Sequence, residues 1–269
     1  MYLRGVHADA AIPMLRQLIR QNPLGILTTA IASPNYPLLQ SSHIPFVLDV
    51  EDEESETELG VLRCHMARPN PQSKAMIEYF EAAQKEGKAG AGGNGEPGVL
   101  EQEVLILFNA PAHHYVTPKF YTETKPTTGK VVPTWNYATA QVYGRARVYH
   151  DSKSEATGSF LDKQIHDLSQ QSETSIMGYT GLGDRPGPWK VTDAPERYID
   201  LLKKNIIGIE ITIDRLEGKF KMSQEMGLGD REGVIKGFAN LGGEVGTEIS
   251  RVIKERSDLK EAKTAKVSA

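Results

Sequence analysis

Gln141-Val142-Tyr143-Gly144-Arg145-Ala146-Arg147-Val148-Tyr149 sets Val142, Gly144, Ala146 and Val148 against the larger Tyr143, Arg145, Arg147 and Tyr149. A period of two is that of a β-strand with one face buried. Outward from this stretch, short β-rich runs recur at residues 25–31, 44–50, 60–66 and 104–108, and again at 206–213 and 218–222. The run at 104–108 is apolar throughout, as expected of a buried strand. Six of the eight residues at 51–58 are acidic, which predicts a solvated hairpin tip. A turn is expected between the strands at 206–213 and 218–222.

Helical periodicity lies outside these runs. Ile12, Leu15, Leu18 and Ile19 share one face of a helix over residues 9–21, stopped by Asn22-Pro23. Further helices are predicted over 71–83 and near 159–170. Another opens at Asp193-Ala194-Pro195-Glu196, where Asp and a Glu three residues on resemble a capping box. Residues 87–98 form a Gly-rich loop expected to be mobile, and 178–188 a Gly/Pro loop. No P-loop is present. The pattern predicts a mainly β, α+β domain, a β-barrel with peripheral helices, over residues 1–240. A helical extension follows over 241–269, its end from Lys260 expected to fray.

The chain has 269 residues, 39% hydrophobic and 25% charged, which is globular rather than disordered. A net charge of −4, with no basic stripe and no helix-turn-helix pattern, argues against direct nucleic-acid binding. The single Cys64 excludes an intramolecular disulfide and any cysteine-based zinc cluster. No apolar run approaches the roughly 20 residues that cross a bilayer, and no signal-like core follows Met1. A cytoplasmic location is expected, or a nuclear one.

Four segments mix residue types that carry chemistry. Lys130-Val131-Val132-Pro133-Thr134-Trp135-Asn136-Tyr137 combines a cation, a hydroxyl, an amide and two aromatic rings. A cofactor with a phosphate and a polar aromatic ring would satisfy them all. Lys130 or Thr134 would hold phosphate, Asn136 would bond ring edges, and Trp135 or Tyr137 would pack on a flat face. The same residues would equally serve as a surface turn with Trp135 as a core anchor. In Arg63-Cys64-His65-Met66-Ala67-Arg68-Pro69-Asn70-Pro71 a strand leads into a helix, with Asn70 as N-cap. His65 there can face a pocket, and Arg68 beside a helix N-terminus can hold an anion. The competing reading is a structural His and a solvated Arg. The adjacent His113 and His114 point to opposite faces of a strand and do not suit one metal. In the segment at 217–224, Lys219 and Lys221 share one face and Phe220 and Met222 the other. That is an edge strand guarded by lysines, or a place where Lys221 and Gln224 meet a phosphate.

Taken in order, these segments resemble the PaiB family, described as FMN-binding negative transcriptional regulators. The resemblance runs from Met1 to about Phe238. It is most specific at 129–137 and 206–224, and is supported by Asp193-Ala194-Pro195 and Asp230-Arg231-Glu232-Gly233-Val234. It implies an FMN-binding split β-barrel related to pyridoxamine-phosphate oxidases, with FMN, or haem b in some relatives, at a homodimer interface. A haem-using branch makes piperazic acid by closing a nitrogen–nitrogen bond, and the His ligating its iron matches His65. Departures from the family pattern are Cys64 for Gly, Pro69 for Ala, Lys119-Phe120 for Ser-Trp, and Glu225 for Asn.

The cofactor-binding set expected on both grounds is His65, Arg68, Asn70, Lys130, Thr134, Trp135, Asn136, Tyr137, Lys221 and Gln224, with His65 a metal ligand only if the cofactor is haem. A flavin-binding protein with a redox or regulatory role is the leading expectation. A haem enzyme of the piperazate synthase type is the alternative, and a PaiB-like regulator acting without a DNA-binding motif a third.

Overall fold

The structure is a computed structural model and describes residues 1–267. Its strands are β1 (Ala8–Asp9), β2 (Leu24–Ala30), β3 (Leu39–Pro45), β4 (Val47–Asp49), β5 (Val61–Ala67), β6 (Gly98–Val99), β7 (Val104–Asn109), β8 (His114–Val116), β9 (Thr134–Tyr149) and β10 (Ile206–Lys221). The α-helices are α1 (Ile12–Gln21), α2 (Pro71–Lys85), α3 (Thr124–Thr128), α4 (Glu155–Gln171), α5 (Glu196–Lys203), α6 (Leu228–Leu241) and α7 (Gly243–Val267). The sheet order is β3-β2-β7-β9-β10-β5-β4, and the β2–β3, β2–β7, β4–β5 and β5–β10 pairs are antiparallel. This is an α+β fold of the split β-barrel type. The chain divides into two compact units, Ile12–Phe108 with Val142–Leu216, and Met1–Ala11 with Asn109–Gln141 and Glu217–Ala269.

In the larger unit, Leu15, Leu18 and Ile19 of α1 are buried, as their spacing predicts. Phe46 and Phe108 meet edge to face at 5.5 Å. Where β9 passes β10, Gly144 admits the approach of the other backbone, since a Cβ there would collide with the Thr212 carbonyl. The acidic segment joins β4 to β5 as a hairpin, in agreement with its composition. Its backbone is held from below by the buried Arg16, whose guanidinium donates to the carbonyls of Asp52, Glu53, Ser55 and Glu58 at 2.7–3.3 Å. Asn70 caps α2 by accepting from Gln72 N at 2.9 Å, and Pro71 follows at the first helical position. In the Gly-rich loop Ala91 is buried, its carbonyl taken by Gln84 Nε2 at 3.2 Å.

In the smaller unit, β1 pairs with the end of β10, Ala8 opposite Lys219 and Asp9 opposite Gly218. Arg256 of α7 fixes Asp9 at 2.5 Å. The core gathers around Phe238, which meets His114 at 5.4 Å and Phe120 at 5.3 Å, with Val234, Ile249 and Ile253 buried. Asp230 of α6 caps α3, accepting from the amides of Glu123 and Thr124 at 2.8 and 3.1 Å. The extension is a helix packed on α6, with Ser250 Oγ donating to Ile235 O at 2.9 Å and Arg231 paired with Glu261 at 2.5 Å. The helix continues past Lys260 to Val267; Ser268 and Ala269, which end the stretch expected to fray, lie outside the described residues.

Four expectations are corrected. The runs expected at 206–213 and 218–222 belong to one unbroken strand of 16 residues, Ile206–Lys221, with Met222 just past its end; Asp214 and Arg215 are exposed positions within it. The run at 104–108 alternates buried and half-buried side chains, so one face of β7 is not fully enclosed. The run at 44–50 splits into β3 and β4 around Phe46. Asp193 does not cap α5; it closes a short 3₁₀ turn at Val191–Asp193 by accepting from Lys190 N at 2.9 Å, and Pro195 precedes the helix.

Candidate functional site

Seven of the ten expected residues belong to the smaller unit and three to the larger. In the smaller unit, β9 carries Thr134 and Trp135 to the end of β10, where Lys221 Nζ donates to Thr134 Oγ1 and, at 2.9 Å, to the Trp135 carbonyl. Lys219, two residues back on the same face, donates to Tyr2 O at 3.2 Å and stands 5.4 Å from the centre of the Tyr137 ring. These groups line a cavity of about 560 Å³ with Tyr2, Arg4 and His7. Its lining thus holds three basic side chains, Arg4, Lys219 and Lys221, beside a hydroxyl and three flat aromatic rings. His7 is bonded to Glu225 at 3.0 Å, which gives the departure at Glu225 a structural partner.

Burial is the main reason that Lys221 lies below the usual lysine range; Glu225 and Tyr137 pull it upward and Lys219 pushes it further down. Two ammonium groups on one strand face repel, and a bound dianion between them would relieve both. The arrangement is that of an anion site floored by aromatic surface.

The remaining residues of this set point elsewhere. Asn136 is fully buried and exchanges hydrogen bonds with Ser223 at 3.0 and 3.2 Å. Ser223 itself holds a left-handed backbone, φ 61°. Gln224 turns back on its own strand end, accepting from Met222 N at 2.6 Å and donating to Phe220 O. Both side chains therefore shape the turn after β10 rather than line the cavity. Lys130 is exposed in the loop after α3 and is not among the lining residues.

In the larger unit, Arg68 donates to the carbonyls of His150 at 2.6 Å and Lys204 at 3.2 Å, the latter at the C-terminal end of α5. It acts as a clamp on backbone ends, not as a free anion donor. Asn70 Nδ2 reaches Ser42 Oγ at 3.1 Å while its oxygen caps α2. His65 lines a second cavity, about 490 Å³, with Ile165, Leu168, Trp189, Ile199 and Leu202. Its Nδ1 is buried with no hydrogen-bond partner, and burial pushes its pKa below the ordinary histidine value. Among the described residues, no group of three or more His, Cys, Asp or Glu is placed to hold a metal ion.

Sequence reasoning missed Tyr2, Arg4, His7 and Lys219 as lining residues. The segment before α1 reads as a polar lead-in, and nothing local announces that β1 will pair more than 200 residues downstream.

A family model described as "Putative FMN-binding domain" matches residues 1–215. An uncharacterized protein of Aspergillus fumigatus is 62% identical over 98% of this chain and 100% of its own length. The protease synthase and sporulation protein PAI 2 of Bacillus subtilis is 23% identical over 82% of this chain and 81% of its own. Among solved structures, a conserved hypothetical protein from Mycobacterium tuberculosis superposes with a TM-score of 0.44 at 10% identity, covering 84% of this chain and 94% of that one.

Proposed function

The chain belongs to this FMN-binding domain family, with FMN as its cofactor, and on that premise we propose that it is a flavin-dependent redox protein holding FMN at the cavity beside β1. The observation that carries the proposal is the meeting of Arg4, Lys219, Lys221 and Thr134 with three aromatic rings in one cavity. Arg4, Lys219 and Lys221 would hold the phosphate and Thr134 would donate a hydrogen bond to it. Tyr2, Trp135 and Tyr137 offer apolar faces for the isoalloxazine and keep water from it. The bonds that Lys221 makes to Thr134 Oγ1 and the Trp135 carbonyl fix where its charge stands before any ligand arrives. When bound, FMN supplies reversible uptake of electrons and protons; the protein supplies binding, orientation and electrostatics.

The same reading includes a homodimer in the cytoplasm. Val132 and Trp135 are 74% and 55% exposed, and Trp135 meets His113 at 6.4 Å and Tyr115 at 6.2 Å. This aromatic surface adjoins the cavity, and a second copy would cover it. Among the described residues no helix is long and apolar enough to cross a membrane. Flavin is favoured over haem by the His65 cavity itself. A haem brings carboxylates, and the one cation in that lining, Lys203, is already held by Asp162 at 2.6 Å and Asp200 at 3.1 Å.

An absorbance spectrum tests the proposal. Bands at about 370 and 450 nm, lost when FMN is washed out and restored by adding it, are expected. A Soret band at about 400 nm instead, or a colourless protein that takes up no FMN, would remove it. Light scattering should give twice the chain mass.

A further inference from the structure

The cavity around His65 is a second site, made wholly within the larger unit and lined by other residues than the cationic one. Its walls are the apolar faces of α4 (Ile165, Leu168) and α5 (Ile199, Leu202), closed at one side by the indole of Trp189. At about 490 Å³ it lies within the range that encloses small organic ligands. It offers no free charge. Lys203 is neutralised by Asp162 and Asp200, and Asn205 Nδ2 is held by Leu201 O at 3.1 Å.

One polar group stands out in this lining. His65 projects from β5 with Nδ1 buried and unbonded. The ring as a whole is only partly buried and lines the cavity, so its accessible edge can meet a ligand. Neutral imidazole has one acceptor nitrogen, and burial keeps His65 in the neutral form. Trp189, 46% exposed at the cavity wall, presents a flat face on which an aromatic ring can stack. A charged ligand would find no counter-charge here, and a fully apolar one would leave the imidazole unbonded.

We propose that this cavity binds an uncharged aromatic molecule of two or three rings carrying one N–H or O–H, which donates to the His65 ring. The size limit follows from the volume, the neutrality from the committed charges, and the donor from the one acceptor nitrogen of a neutral imidazole. The proposal does not depend on where FMN binds.

The probe is N-phenyl-1-naphthylamine, a neutral aromatic with one N–H whose emission rises in apolar surroundings, titrated into the full-length protein. Saturable binding at one site per chain is expected. His65→Phe keeps the wall apolar and should weaken the probe by about tenfold, the loss of one hydrogen bond in a dry site. The N-methylated probe, which has no donor, should bind wild type and His65→Phe alike. Ser169→Trp, from a lining residue of α4, fills the cavity and should abolish binding. Circular dichroism of each variant reports that the fold is kept. Non-saturable binding, or equal affinity in wild type and Ser169→Trp, overturns the proposal. So does haemin occupying the cavity with a Soret band that His65→Phe removes, which would reassign it to haem.

Discussion

The Lys221 ammonium donates to Thr134 Oγ1, a side chain 87 residues away in sequence, and so joins the end of β10 to the start of β9. The contact explains why a lysine can be partly buried at the end of β10, a strand with neighbours on both sides. Its charge is engaged by a hydroxyl and a carbonyl, yet no carboxylate neutralises it directly. An anionic ligand completes the set.

Lys221→Met should therefore weaken FMN by about tenfold to a hundredfold, the range for one charge-assisted hydrogen bond. Titration followed by quenching of flavin fluorescence measures it. The stabilisation that FMN gives to wild type in thermal melts should shrink in the variant. Riboflavin, which has no phosphate, should bind both proteins alike; a large difference there would show that the lysine acts on the ring instead.

Acid should destabilise the fold through two histidines. Burial lowers the pKa of His65, and burial followed by the Arg68 charge lowers that of His150, both from an ordinary 6.5. In each case the unfolded chain binds the proton first as pH falls, so stability is full above about 6.5 and declines below it. Urea midpoints measured from pH 8 down to 5 should fall, and His65→Phe should flatten the slope. A midpoint that rises on acidification would contradict the assignment.

Arg16→Ala should destabilise the protein by about 3 kcal/mol or more, since it leaves four carbonyls of the acidic hairpin without their shared donor. Arg16→Lys should rescue only part of this, because an ammonium lacks the planar fork that spans them. Hydrogen exchange confined to the amides around 51–58 would show where the loss falls.

Asn70→Ala removes the cap of α2 and should cost about 1 kcal/mol. Asn70→Asp should retain most of it. Denaturant melts of both variants separate this capping role from any part in holding cofactor, which flavin titration reads independently.

Much of the fold was legible because its signals are local. The alternation in 141–149, the apolar stripe of α1 and the Asn70-Pro71 start of α2 each lie within a few residues of sequence. The strands that position the cavity were underread. Thr134, Trp135, Asn136 and Tyr137 belong to the same strand as Tyr149, but their polar and aromatic mixture hides the period of two. Asp214 and Arg215 look like a turn because both are charged, yet they are exposed positions within a continuous ladder. Residue type drew attention to Lys221 and Thr134, which line a cavity. It also flagged Asn136 and Gln224, whose amides serve the turn after β10, since an amide reads the same whether it faces a ligand or the backbone. Arg4 and His7 could be found only through a pairing that spans most of the chain.

The unbroken course of β10 matters for anyone who trims this protein. Likeness to the family model stops at residue 215, but the strand runs on, and Lys219 and Lys221 sit in its last three positions. A shortened version cut at the edge of that likeness would keep the familiar signature while losing two of the three basic side chains of the cationic pocket, and the partner of β1 with them.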